Sequence, residues 1–148
     1  MLKKIGQRLK DQRGLTLIEL LAVVVILGII AAIAIPSIGG IINNSKKDAH
    51  IANAQQMVDA ARMAITANDK GATAGQFTMA ELVSKGYLET VDDPSDSTGY
   101  DDAKSIVTYT ASGTSGSYTY TVTLVGKAGT THVAPKDPKT MKRTDITL

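Results

Sequence analysis

No cysteine occurs among the 148 residues. Disulfides, thiolate metal sites and cysteine nucleophiles are excluded together. Tryptophan is absent and phenylalanine occurs once, which argues against an aromatic surface for stacking nucleic-acid bases. The two histidines, His50 and His132, stand far apart in sequence, so no His-rich zinc site is expected. There is no G-x-x-x-x-G-K-[ST] loop, no H-E-x-x-H and no G-x-S-x-G, and Gly126-Lys127 lacks the upstream glycine of a phosphate loop. Neither an enzyme nor a cofactor is expected.

Charge is missing from one long stretch. Overall the chain is 43% apolar and 20% charged, an ordinary balance for one globular domain. From Leu20 to Ile42 there is no charged residue, and Ser37 carries the one hydroxyl. As a helix these 23 residues span about 35 Å, enough for the roughly 30 Å hydrocarbon core of a bilayer. No polar face recurs at helical spacing, as it would in a soluble helix. Residues 1–14 carry Lys3, Lys4, Arg8, Lys10 and Arg13 against Asp11, a net +4, and residues 15–148 sum to −2. Basic residues before the apolar run predict a cytoplasmic N-terminus and a C-terminal domain outside.

Three residues depart from a plain anchor. Glu19 lies at the start of the run, and a carboxylate in lipid costs about 2–3 kcal/mol near the helix centre and less near the interface. It either reaches the headgroups or waits for a positive partner. Gly28 lowers helix stability by about 1 kcal/mol. Pro36 removes a backbone donor and crowds the preceding turn, so the helix is expected to loosen there, although membrane helices tolerate both residues.

The run Arg13-Gly14-Leu15-Thr16-Leu17-Ile18-Glu19 resembles the processing site of type IV prepilins and of the related pseudopilins of secretion and competence systems. With the basic leader and the apolar run, the resemblance covers roughly the first 50 residues. It implies that a prepilin peptidase cuts between Gly14 and Leu15 and methylates the new amine of Leu15. The family usually has Phe there, so Leu15 is a departure. Glu19 matches the family's acidic position, and Gly28 and Pro36 match its helix-loosening positions. The implied protein is a structural subunit of a type IV pilus or related filament, and Glu19 favours a major over a tip subunit. Its implied partners are copies of itself, the prepilin peptidase, and an assembly ATPase with its platform protein. It would cross the inner (cytoplasmic) membrane once before assembly and become an extracellular filament afterwards. A pseudopilin of a type II secretion or competence (DNA uptake) system is the alternative.

The chemistry of the cut supplies a mechanism. Cleavage turns an amide into an amine of pKa about 8, largely cationic at neutral pH. Glu19 of a neighbouring subunit can meet it. Two charges about 4 Å apart attract by about 4 kcal/mol at an effective dielectric of 20. Desolvation offsets most of that, so the pair sets register while apolar packing drives assembly. A competing signal is Ala32-Ile33-Ala34, which has the form of a secretory cleavage site and would start the protein at Ile35. Against it, the apolar run continues to Ile42.

Beyond the run, Ile51, Ala54, Val58, Ala61 and Ile65 recur at helical steps, predicting one helix from Leu15 to about Asn68. Gly71 and Gly75 mark a linker from Asp69 to Gln76. Thr78-Met79-Ala80-Glu81 fits a capping box for a short helix that Gly86 ends. Ser105 to Ala111 and Ser117 to Val125 read as strands joined by a hairpin loop, with Val133 and Ile146 in one or two more. The expected class is α+β: leader 1–14, transmembrane and assembly helix 15–45, amphipathic half 46–68, and a head over 69–148 with a small antiparallel sheet.

Two sites remain open. Asp92, Asp93, Asp96, Asp101 and Asp102 place on one loop the hard oxygen donors that Ca²⁺ takes, but the spacing is not that of an EF-hand and a solvated turn is the simpler reading. Lys136, Lys139, Lys142 and Arg143 form the one basic cluster outside the leader. They offer weak DNA capture or, more simply, a solvated terminus.

Overall fold

The computed structural model describes residues 2–113 and 116–148, with side chains from Thr16 onward. The elements are α1 (Leu2–Thr66), β1 (Gln76–Thr78), α2 (Met79–Ser84), β2 (Ile106–Ser112), β3 (Ser117–Val125) and β4 (Thr131–Lys136). Two 3₁₀ turns follow, at Pro138–Thr140 and Arg143–Asp145. The class is α+β, a long N-terminal helix and a four-stranded antiparallel sheet in the order β1-β2-β3-β4. The chain divides into two units, Met1–Ile42 and Asn43–Leu148.

In the first unit, every described side chain from Thr16 to Ile42 is exposed except the half-buried Ala34. The described helix is long and apolar enough to cross a membrane. α1 runs through Gly28 and Pro36 without a break. Any loosening at Pro36 is thus local, arising from the N–H that proline cannot offer to the Ala32 carbonyl.

In the second unit, the later part of α1 turns its small residues inward. Ala54, Met57, Val58, Ala60, Ala61 and Ala64 are buried against Phe77, Val107, Val122, Leu124 and Leu82. Alanine favours the helix and lets the strands approach closely. α1 closes at Thr66, two residues before the expected end, because Asn68 adopts a left-handed conformation at φ 62°. The Asn68 amide donates to the Ile65 carbonyl and the Asp69 amide to the Ala64 carbonyl, a Schellman closure that asparagine tolerates better than most residues.

The expected linker holds a strand start. Gly71 lies at φ +72°, and a Cβ there would sit 2.6 Å from the Gln76 carbonyl oxygen. The turn it permits delivers Gln76–Thr78 to the edge of the sheet as β1, pairing with β2 from Thr108 to Ile106. A three-residue strand is too short to show a period of two, so it was not legible in advance. Thr78 then caps α2: its hydroxyl accepts from the Glu81 amide, and the Glu81 carboxylate accepts from the Thr78 amide at 2.8 Å. Across β3, Val122 and Leu124 are buried while Tyr118 is exposed, so the apolar face is covered at its C-terminal end only. Tyr120 holds the Arg62 guanidinium over its ring at 4.9 Å, a cation–π contact. Of the hairpin loop, Thr114 and Ser115 lie outside the described residues.

Phe77 is fully buried, so Phe77→Ala should cost about 3–5 kcal/mol, and Thr78→Ala about 1 kcal/mol through the lost cap. Urea unfolding of the detergent-solubilised chain checks both. A Phe77→Ala midpoint equal to that of the unmutated protein would refute this packing.

Candidate functional site

Two places in the chain gather candidate functional residues. At the N-terminus, Glu19, Gly28 and Pro36 lie on α1 within the stretch of exposed side chains. A Cβ at Gly28 would meet nothing within 4 Å, so in a single chain the notch is open. Gly14 and Leu15, the expected processing pair, lie outside the residues whose side chains are described.

The second place is in the head, where the two histidines that are far apart in sequence come together. His50 on α1, Asp93 in the loop after α2, and His132 on β4 converge, all buried. Folding brings together residues that sequence separation made look independent. His50 extends the apolar stripe of α1 by one turn before Ala54, which turns it inward. The loop is sewn to the end of β3: Tyr100 bridges Gly126, and the Asp101 amide donates to the Val125 carbonyl at 2.7 Å. Ahead of Pro94, Asp93 makes a turn in which Oδ1 accepts from the Ser95 amide at 2.7 Å and the Asp96 amide at 3.3 Å.

The contacts within the cluster are specific. His50 Nδ1 lies 2.6 Å from the Tyr100 hydroxyl and Nε2 lies 2.8 Å from Ser95 Oγ. Asn53 donates to the same Tyr100 oxygen at 3.1 Å. The His50 and His132 rings stack with centroids 4.4 Å apart. His132 Nδ1 donates to the Thr147 carbonyl at 2.7 Å, because a carbonyl can only accept. His132 Nε2 sits 3.0 Å from Asp93 Oδ2, yet that oxygen receives no hydrogen bond. Burial first, and then the neighbouring His132, push His50 down to about 4. Burial also raises the Tyr100 hydroxyl well above its ordinary value.

The remaining expected site residues do not gather. Of the five aspartates, Asp93 turns inward. Asp96 accepts from the Thr98 amide, which holds its carboxyl below the usual range. Asp101 is held low chiefly by Lys104, 2.9 Å away. Asp92 and Asp102 do not join them in a group of three or more among the described residues. Asp93, Asp96 and Asp101 accept backbone amides in turns, so the five carboxylates are not drawn to one point among the described residues. The tail is docked on the head, while Lys139, Lys142 and Arg143 stay exposed. Ile146 is buried and bridges Val133. Lys136 pairs with Asp145 at 2.7 Å, and Arg143 grips Asp48 through two bonds of 2.6 Å. Two of the four tail cations are therefore already matched by acids.

Among known proteins, the family model for the prokaryotic N-terminal methylation motif matches residues 9–35. No curated protein and no solved structure matches the chain.

His50 supplies a pH test. Its value in the fold is about 4, below the ordinary 6.5 of an unfolded histidine, so the unfolded chain binds the extra proton first. The stability it contributes is complete above pH 6.5 and is lost as pH falls toward 4. Thermal melting of the metal-free protein across that window should show the decline, and His50→Gln should flatten it. An equal decline in His50→Gln would assign it to other groups.

Proposed function

We propose that this chain, which carries the class III signal peptide of type IV pilin-like proteins, is a structural, non-catalytic filament subunit of the major-pilin type. It is processed after Gly14, methylated on Leu15 and polymerised through α1. The carrying observation is the match at residues 9–35, overlapping a stretch in which all but one described side chain from Thr16 to Ile42 is exposed. Ile33 and Ile35 alone are 71% and 69% exposed. Each buried methylene gains about 0.8 kcal/mol, so such a surface does not stay in water. Lipid covers it before assembly and neighbouring copies of the helix cover it afterwards.

The polar groups then decide the register. Glu19 is uncompensated in lipid and gains a partner when a neighbour's freed amine arrives four residues upstream of that neighbour's own acid. Gly28 leaves a notch for close helix approach, and Pro36 frees a carbonyl and permits bending. The chain has no nucleotide-binding loop, so the work of extraction from the bilayer falls to an assembly ATPase acting through a platform protein. A prepilin peptidase is the third partner.

Glu19→Ala should leave the protein membrane-inserted and lower the yield of sheared surface filament by an order of magnitude or more, as seen by electron microscopy. Normal filament yield from that variant would count against the register role. Intact mass of the surface form should give a start at Leu15 plus one methyl. A start at Ile35 would replace this reading with secretion after Ala34.

A further inference from the structure

The His50–Asp93–His132 cluster is a separate matter from assembly. Its three side chains each offer one donor atom, and these atoms lie within 4.8 Å of one another. The hydrogen bonds determine what the donors can accept. His132 gives its Nδ1–H to the Thr147 carbonyl, so Nε2 is a bare lone pair when the ring is neutral and a second N–H when it is an imidazolium. It faces Asp93 Oδ2 at 3.0 Å, a fully buried carboxylate oxygen with no donor of its own. With no proton on Nε2, the two lone pairs repel at that distance in a buried site, so a proton or a metal cation belongs between or beside them. His50 can join them by giving up its Nε2 bond to Ser95. Both of its partners, the Tyr100 and Ser95 hydroxyls, can give or take a proton. The ring can therefore hold its single proton on Nδ1, against Tyr100, and present Nε2 as a third donor.

The surroundings fit the same occupant. Gly126 closes the site, and a Cβ there would stand 2.8 Å from His132 Nε2 and 3.1 Å from Asp93 Oδ2, so the space next to both donors depends on its being glycine. The Nδ1–H bond from His132 to a backbone carbonyl is the outer contact that fixes a metal-ligating imidazole and raises its basicity. In a tetrahedral site with bonds of about 2.0–2.1 Å, neighbouring donors stand roughly 3.3 Å apart. His132 Nε2 stands 3.0 Å from Asp93 Oδ2 and His50 Nε2 stands 3.8 Å from the other oxygen, Oδ1; with the three donors within 4.8 Å of one another, ligation draws them closer together. Ligation requires the two stacked rings to tilt, since each lone pair lies in its ring plane. Two imidazoles and one carboxylate suit zinc and its neighbours in preference to Ca²⁺.

We propose that His50, His132 and Asp93 form a structural site for a zinc-class divalent ion, with Ser95 Oγ or a water as fourth donor. The ion joins α1, the loop after α2 and β4 at one point. In a head without cysteine it does the work of a disulfide.

The test uses the full-length, untagged chain in detergent micelles at pH 7.5, stripped with EDTA. Stoichiometric ZnCl₂ should raise the melting temperature by several degrees, EDTA should reverse the shift, and CaCl₂ should produce none. Co²⁺ in its place should give the visible d–d bands of a tetrahedral N/O site, at one ion per chain. Asp93→Asn and Gly126→Ala should each weaken binding at least tenfold. If those variants do not fold, the unmutated protein still decides. No Co²⁺ bands together with no Zn²⁺ shift overturns the proposal. It is also overturned if nitrogen NMR of the metal-free protein shows both His132 nitrogens protonated and unchanged by Zn²⁺, because a shared proton then satisfies Asp93. Neither result bears on filament formation, which rests on the N-terminal helix.

Discussion

One helix is asked to satisfy two different solvents. From Leu20 to Ile42, α1 exposes apolar side chains on every face, and the stretch after Asn43 presents an alanine-lined stripe to a sheet. The second arrangement holds the head together. Ala54, Ala60, Ala61 and Ala64 have no surface left to expose, and large side chains from the strands fill the space that their small size leaves. Phe77, Leu82, Val107, Val122 and Leu124 all meet the helix there. Without that stripe the sheet would have an apolar face and nothing to lay it on.

The first arrangement leaves a surface that the chain cannot bury by itself. This is consistent with a subunit whose native state includes its neighbours. The N-terminal methylation motif overlaps the same residues, so the proposed trimming site and the proposed assembly surface are adjacent in sequence. In the proposed processing, cleavage changes the end of the helix from an amide to a cation, and the nearest acid along the trimmed chain is Glu19. A charge pair of this sort contributes little net stability once desolvation is counted. Its value is that a register shifted by one turn leaves a carboxylate unmatched in an apolar bundle.

Within the head, polar groups are used to close turns and tie segments together. Asp93, Asp96 and Asp101 each accept backbone amides, and Arg143 and Lys136 take up Asp48 and Asp145. The acidic loop, which by composition could have been a hard-cation site, is thereby spent on its own backbone. Among the described residues, Asp93 Oδ2 is a buried carboxylate oxygen without a hydrogen bond, and it lies 3.0 Å from His132 Nε2.

Much of this was readable from residues alone, because it depends on local chemistry. The apolar run, the strand Ser117–Val125, the Thr78–Glu81 cap and the signal motif each lie in a few consecutive residues, and propensity, periodicity and spacing report on such neighbours. β1 was not readable, since three residues carry no period and Gly71 acts by what it avoids touching. The packed tail was not readable either: its lysines and Arg143 suggested solvent, while Ile146 and the pairing partners Asp48 and Val133 lie far away in the chain. The histidine cluster is the clearest case. His50 and His132 are 82 positions apart, and no pattern along the chain links them. Only the packing of β4 beside α1, with the loop folded over both, puts their nitrogens on a common carboxylate, because distance through space is set by the tertiary fold and not by separation in sequence.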